Sequence, residues 1–146
     1  MKEFYIIGIS VTTINKDNQS AIDIGGLWNR WFTEELSGKI ENKISDEIIN
    51  MYTEYVSDEH DYYTAILGHK VSSLNLIPKG CIGKHISDEN YKEFTSKGKL
   101  PECVLNTWET IWESKIDRKY TADFDVYNPM KMNPENAEVI TYVSIN

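Results

Sequence analysis

Two amphipathic segments, each with two tryptophans, constrain the fold of this chain more than any other feature. In residues 24–36 the apolar side chains recur at helical spacing and include two tryptophans. The same spacing recurs in residues 104–112, again with two tryptophans. This period predicts two helices, and each has an apolar face that must be buried against another element.

Polar and helix-breaking residues mark the ends of both helices. Asp23 is the predicted N-cap of the first helix, and Gly38 is predicted to end it. Gly98 and Pro101 predict a turn that leads into the second helix. Both helices are therefore bounded by signals in the sequence itself.

Segments rich in β-branched and aromatic residues flank the two helices. Such composition is typical of strands. The predicted strands are 2–13, 48–56 and 62–71 in the first half, and 91–95, 120–127 and 137–145 in the second. Residues 57–61 and 128–136 are predicted hairpin loops, and 72–90 is a predicted connector.

Each half of the chain thus has the order strand, helix, strand, strand. This order predicts one α+β domain over residues 1–146, made of two βαββ units, 1–72 and 73–146, related by a pseudo-twofold axis. A groove at such an axis, between two equivalent helices, is a natural ligand site.

Composition excludes several classes of function. The 146 residues fit one domain with a sizeable core. The net charge of −8 disfavours direct binding to nucleic acid, because an acidic surface repels phosphate. No apolar run approaches the roughly 18 residues of a membrane span, and the N-terminal residues are not expected to form a secretory signal. Cys81 and Cys103 lie far apart without a CxxC motif, which predicts reduced thiols in a cytoplasmic protein.

Motifs for cofactors and metals are missing from the sequence. There is no GxGxxG, no phosphate-binding loop and no GxSxG. His60, His69 and His85 have no metal-ligand spacing, and residues 58–61 are interpreted as a solvated hairpin loop. We therefore expect neither a cofactor nor a metal.

Asp125 is the candidate counter-charge for a ligand. On its predicted strand it alternates with Asp123 and Tyr127, while Phe124 and Val126 take the other face, which we expect to be better buried. A carboxylate among aromatic rings is partly desolvated, so its pKa rises until a cation arrives. Each cation–π contact adds about 0.5–2 kcal/mol. The alternative interpretation is a solvated aspartate on a strand.

Aromatic residues at helical spacing are the other candidates. Trp108 and Trp112 lie one turn apart, and so do Trp28 and Phe32. Such stripes usually belong to a core. A groove between two helices is, however, lined by the edges of their apolar faces, so core and groove interpretations both hold.

Two strands add further candidates. Tyr52 and Tyr55 belong to the strand that the internal repeat makes the counterpart of the Asp125 strand, so either side chain is a candidate for the groove or for an exposed sheet surface. Tyr91 precedes the second helix, and Glu93 shares its strand face as a candidate second carboxylate.

Seven segments, spread over nearly the whole chain, share their order and spacing with a known family. They are Gly26–Trp28, Leu67–Val71, Ile77–Gly80, Tyr91–Gly98, Trp108–Trp112, Phe124–Tyr127 and Val139–Ile145. With them the chain resembles the GyrI-like, or AraC-type, effector-binding domain superfamily, and most of all its stand-alone, single-domain members.

The resemblance implies a curved antiparallel sheet with two main helices and a central ligand groove lined by aromatic side chains. In the superfamily a glutamate in a Phe-Glu-x-Tyr setting commonly meets the positive charge of the ligand. Here that position is Asp125, whose side chain is one methylene shorter. Members often have Trp-Pro-Ser after the second helix, whereas residues 114–117 read Ser-Lys-Ile-Asp, so this edge of the groove is expected to differ.

The leading hypothesis is non-enzymatic binding of a small lipophilic or cationic aromatic molecule, linked to transcription regulation or drug sensing. Many relatives carry a helix-turn-helix segment, and this chain is expected not to read DNA itself because no such segment is seen. One alternative is a hydrolase of reactive small molecules, with Asp125 or Glu93 as general base. The other is a gyrase-inhibitor-like module that binds a protein partner.

Overall fold

The computed structural model describes residues 1–146 and has an α+β architecture. The two α-helices are α1 (Gln19–Thr33) and α2 (Glu102–Glu113). The strands are β1 (Phe4–Thr13), β2 (Ile48–Thr53), β3 (Tyr63–Val71), β4 (Ile82–Ile86), β5 (Asn90–Gly98), β6 (Ala122–Tyr127) and β7 (Ala137–Ile145). Neither α-helix combines the length and apolar character needed to cross a membrane.

All seven strands form one antiparallel sheet in the order β4-β1-β3-β2-β6-β7-β5. The first half contributes β1-β3-β2 and the second β6-β7-β5, with β4 added outside β1. The halves meet where β2 pairs with β6, and Asn50 lies opposite Asp125 there. The predicted fold of two βαββ units about a pseudo-twofold axis is therefore confirmed.

Alternating side chains give the sheet two buried faces. Both helices pack on the face that carries Ile7, Ile9 and Leu67, together with Leu27 of α1 and Ile111 of α2. The opposite face holds a smaller cluster. Its members are Phe4, Ile6, Ile49, Met51, Ile66, Ile86, Ala122 and Phe124. The helix-covered face is the one that positions the candidate site.

A glycine pair fixes the register of β1 on β3. Gly8 lies opposite Gly68, and a Cβ on Gly68 would stand 2.1 Å from the carbonyl oxygen of Ile7. Any side chain at either position would push the strands apart. The close approach fixes the register of β3 on β1. In this register Tyr63, the first residue of β3, lies opposite Thr13.

Several predicted boundaries need correction. The first helix begins at Gln19, after Asn18, so Asp23 is not its N-cap; its carboxylate accepts a hydrogen bond from the Gln19 side chain at 3.0 Å. That first turn is mostly exposed, Ile22 included, so it adds no buried apolar position to the helical period of the sequence. Gly38 does not end α1, which stops at Thr33, but belongs to a short 3-10 helix that follows.

Three strands also differ from the prediction. β4 lies within the predicted connector 72–90, and its mixed burial as an edge strand left only a weak alternating pattern. β5 runs on to Gly98 instead of ending at Thr95. β2 ends at Thr53 because Glu54 has a left-handed backbone, with φ of 52°.

Candidate functional site

An open cleft that encloses about 90 Å³ lies over β2 and β3, between the start of α1 and the exposed side of α2. Its walls are mainly aromatic and aliphatic, with a polar rim at one end. The lining residues are Asn15, Ser20, Ile24, Tyr52, Tyr55, Glu59, Tyr63, Leu105, Trp108, Trp112 and Arg118. We call this the aromatic cleft. The enclosed volume is below the range of about 300–1,000 Å³ usual for small-molecule sites, so a ligand of that size would also occupy the open mouth of the cleft.

Aromatic rings from three elements meet in the aromatic cleft. The α-helical period brings Trp108 and Trp112 to one side of α2, with ring centroids 6.4 Å apart. Tyr52 of β2 meets Trp108 edge to face at 5.1 Å. Tyr63 of β3 lies 6.0 Å from Tyr52 and 5.7 Å from Tyr55. Offset and edge-to-face pairs of this kind are favourable, so the rings form a firm wall.

The polar atoms of Tyr52, Tyr55 and Trp108 are already bonded to other protein groups. The Tyr52 hydroxyl donates to Asp125 Oδ2 at 2.5 Å, and Trp108 Nε1 donates to Asp125 Oδ1 at 3.1 Å. The Tyr55 hydroxyl donates to Asp123 Oδ2 at 2.6 Å. The aromatic cleft therefore offers a ligand ring faces and edges more than free hydroxyl or indole donors.

Asp125 lies behind the aromatic cleft and does not line it. The residue has no exposed surface and accepts hydrogen bonds from Tyr52, Trp108 and Thr141. Burial raises the pKa of its carboxyl group to about 6, although the bonds from Thr141, Tyr52 and Trp108 act in the opposite direction. Asp125 therefore does not touch a ligand in the cleft. Its charge acts on the ligand through the rings of Tyr52 and Trp108, which donate hydrogen bonds to it.

The prediction that Phe124 and Val126 take the better buried face of β6 is wrong. Asp123, Asp125 and Phe124 all have no exposed surface, whereas Val126 is only partly buried, so the face of Phe124 and Val126 is not the better buried one. Both helices cover the aspartate face, and the hydrogen bonds described above compensate for the burial of charge.

Sequence reasoning missed the polar end of the aromatic cleft, which centres on Arg118. Its Nη2 donates to Asp123 Oδ2 at 2.8 Å, and its Nη1 lies 3.5 Å from Glu59 Oε2. The Tyr120 hydroxyl donates to the same Glu59 oxygen at 2.5 Å. The one hint in the sequence was the departure from the superfamily pattern at residues 114–117, directly before Arg118.

The sequence predicts a solvated loop for Glu59, but the residue lines the aromatic cleft, which is a further correction. The loop after β2 folds back over the sheet, where the Asn15 side chain donates to the Glu59 carbonyl at 3.2 Å. The Glu59 side chain is only 15% exposed. No local pattern announces this, because the contact joins residues 44 positions apart.

Three predicted residues form a separate aromatic cluster. Trp28 packs edge to face on Tyr127 at 4.9 Å and stacks on Phe32 at 5.9 Å. This trio mirrors the trio of Trp108, Tyr52 and Trp112 in the other half, since each helix packs its tryptophan on a tyrosine of the opposite repeat. None of the three residues Trp28, Phe32 and Tyr127 lines the aromatic cleft.

Tyr91 and Glu93 lie on the opposite face of the sheet, so the expectation that they line the groove is wrong. Tyr91 packs against Phe124 at 5.4 Å, in the smaller core cluster. Glu93 shares this face of β5 and is exposed. The face of β5 toward α2 instead carries Ser96, whose hydroxyl contacts Thr107 at 2.6 Å.

A doubled βαββ sheet with an aromatic cleft between its helices is the architecture of an effector-binding protein. The chain belongs to the family of integron-associated effector binding proteins, which it matches over residues 1–145. The predicted resemblance is thereby confirmed.

One named protein and two solved structures are similar to this chain. YobU of Bacillus subtilis (strain 168), named as a candidate transcriptional regulator, is 29% identical over 126 residues, covering 84% of this chain and 79% of YobU. An integron cassette protein from the mobile metagenome of Vibrio cholerae superposes with a TM-score of 0.76 at 23% identity, covering 100% of this chain and 92% of that one. SAV2435, solved with bound tetraphenylphosphonium, gives a TM-score of 0.83 at 16% identity, with 100% and 90% coverage.

Proposed function

We propose that the aromatic cleft binds a small lipophilic organic cation and that the chain acts as an effector-binding domain in transcription regulation, drug sensing or sequestration. The observation that carries this proposal is the pairing of cleft rings with buried carboxylates. Tyr52 and Trp108 present their rings to the cleft while donating hydrogen bonds to Asp125.

Electrostatics favour a cation in this setting. A ring that donates a hydrogen bond to a carboxylate gains electron density, which strengthens its attraction for a positive charge. Asp123, Asp125 and Glu59 outnumber Arg118 around the aromatic cleft, and water is largely excluded from the two aspartates. A lipophilic cation is attracted both by the rings and by the excess of negative charge, and it needs no hydrogen-bond donor of its own.

One protein of the same fold supports this class of ligand. SAV2435, which shares the fold, binds tetraphenylphosphonium, a bulky aromatic cation without N–H or O–H groups. YobU carries a regulatory name. The hydrolase alternative gains nothing from the geometry, because Asp125 has no exposed surface and Glu93 lies on the opposite sheet face.

Calorimetric titration with tetraphenylphosphonium tests the proposal, and tetraphenylborate serves as the control of equal shape and opposite charge. We expect the phosphonium to bind and the borate not to bind. Equal binding of both ions would show that charge plays no part and would overturn the proposal.

A matched pair of variants locates the site. Trp112→Leu removes a ring from the aromatic cleft, and we expect it to weaken phosphonium binding about tenfold, the size of one good cation–π contact with its buried area. Phe32→Leu alters the counterpart ring on α1, outside the cleft, and should leave the affinity unchanged. The assignment fails if the two variants weaken binding equally.

A further inference from the structure

Arg118 is the only lysine or arginine that lines the aromatic cleft, and it is firmly anchored. Its side chain is 4% exposed, and its Cζ atom lies 4.3 Å from the centroid of the Tyr120 ring. Its Nη2 bonds to Asp123, whose carboxylate also accepts hydrogen bonds from Tyr55 and Ser144. The guanidinium is therefore held in place at one end of the cleft.

Two other nitrogens of Arg118 are unsatisfied. Both Nε and Nη1 are buried and have no hydrogen-bond acceptor. The Glu59 carboxylate stands 3.5 Å from Nη1, beyond the usual range of about 2.7–3.2 Å for a hydrogen bond. A buried donor without an acceptor is unfavourable, and more so when it is charged. One further acceptor oxygen is thus missing at the Arg118 end of the cleft.

Glu59 does not fill this role. Its Oε2 is bonded to the Tyr120 hydroxyl at 2.5 Å and keeps only the longer ion pair with Arg118. Glu59 belongs to the loop between β2 and β3, and its side chain is partly exposed to solvent. The side chain can therefore turn toward solvent and leave Arg118. An anionic oxygen that comes within hydrogen-bond distance of Nη1 makes the stronger interaction.

We propose that the effectors of this protein are amphoteric: a lipophilic aromatic cation that also carries a carboxylate or a comparable anionic oxygen. The cation lies against Trp108 and Trp112, and the anionic oxygen accepts a hydrogen bond from Arg118 as Glu59 moves aside. The two subsites are close, since Arg118 Cζ is 5.7 Å from the Trp108 ring centroid. This inference rests on the proposed function and adds a second charged group to the ligand.

Two phosphonium probes of matched length test it: carboxybutyl-triphenylphosphonium and pentyl-triphenylphosphonium. Calorimetry gives the ratio of their dissociation constants. We expect the carboxylate probe to bind more tightly to the wild-type protein, and the preference to widen by about tenfold in Glu59→Gln, which frees Arg118 of its neighbour. Asp58→Asn removes an equal charge from the same loop without this contact to Arg118 and should leave the ratio as in the wild type.

Arg118→Lys in the Glu59→Gln background is the decisive control. Lysine keeps a positive charge beside Asp123 but has no second nitrogen to bind the carboxylate of the probe. The preference for the carboxylate probe should therefore disappear while the pentyl probe still binds. If this variant does not fold by circular dichroism, the comparison of Glu59→Gln with Asp58→Asn decides the question alone. Equal ratios in those two variants overturn the inference. Binding of tetraphenylphosphonium in the same series tells this result apart from failure of the proposed function, in which no probe binds.

Discussion

Asp125 is a carboxylate whose neighbours act on its charge in opposite directions. Burial raises its pKa from 3.8 to about 6, hydrogen bonds from Thr141, Tyr52 and Trp108 lower it, and Asp123 raises it. Because the folded pKa lies above the ordinary one, the folded protein holds this proton more tightly than the unfolded chain does. The stability that Asp125 contributes is thus complete below about pH 4 and is lost as the pH rises through about 6.

Cation binding should depend on pH in the opposite sense to this stability term. Ionisation of Asp125 strengthens the rings as partners for a cation, so we expect the affinity for tetraphenylphosphonium to rise about threefold to tenfold between about pH 5 and about pH 7. Titration calorimetry across this range measures it. Asp125→Asn should flatten the profile, whereas Glu93→Gln, which removes a carboxylate from the opposite face, should not. An unchanged slope in Asp125→Asn would refute the role of Asp125.

Strands β2 and β6 carry equivalent tyrosines that the two halves use differently. Asn50 of β2 and Asp125 of β6 are cross-strand partners. Tyr52 lies two residues after Asn50, and Tyr127 lies two residues after Asp125. The Tyr52 hydroxyl crosses the pseudo-twofold axis to Asp125, but the Tyr127 hydroxyl makes no side-chain hydrogen bond. The repeat has therefore diverged at its centre, and only the Tyr52 side has become the aromatic cleft.

This asymmetry predicts different effects for the same substitution. Tyr52→Phe removes a donor from a buried carboxylate and should lower the free energy of unfolding by about 1–3 kcal/mol at neutral pH. Tyr127→Phe should change it by less than about 0.5 kcal/mol. Urea unfolding followed by circular dichroism measures both values. Equal losses would mean that the Tyr52–Asp125 bond adds nothing to stability.

Local pattern predicted the elements well because their burial is periodic. The apolar stripes of α1 and α2 and the strands beside them follow from side-chain spacing alone. The residues of the site were harder to predict from the sequence, because the site is formed by tertiary contacts. Arg118 and Glu59 meet only when the β2–β3 loop folds over β6, and no spacing encodes that contact. The prediction for Tyr91 is wrong because the two-residue period of a strand defines two faces but does not show which face the helices cover.

At the scale of the whole molecule, the aromatic cleft joins the two repeats. Within the sheet the two βαββ repeats meet where β2 pairs with β6, and β4, which precedes the strands of the second repeat, pairs with β1 at the sheet edge. The cleft adds a further junction, because Ile24 and Tyr63 come from the first half and Leu105 and Trp112 from the second. A ligand between α1 and α2 therefore contacts both repeats at once, and its binding energy favours one relative arrangement of the two.

This arrangement predicts that a ligand stabilises both halves. At a free concentration about a hundredfold above its dissociation constant, tetraphenylphosphonium should raise the free energy of unfolding by about 2.7 kcal/mol. Amide hydrogen exchange should slow in both α1 and α2, since Ile24 and Leu105 face the same cleft. Tetraphenylborate should leave both helices unchanged. Slower exchange confined to α2 would mean that the ligand rests on one helix alone, and that the cleft does not join the repeats.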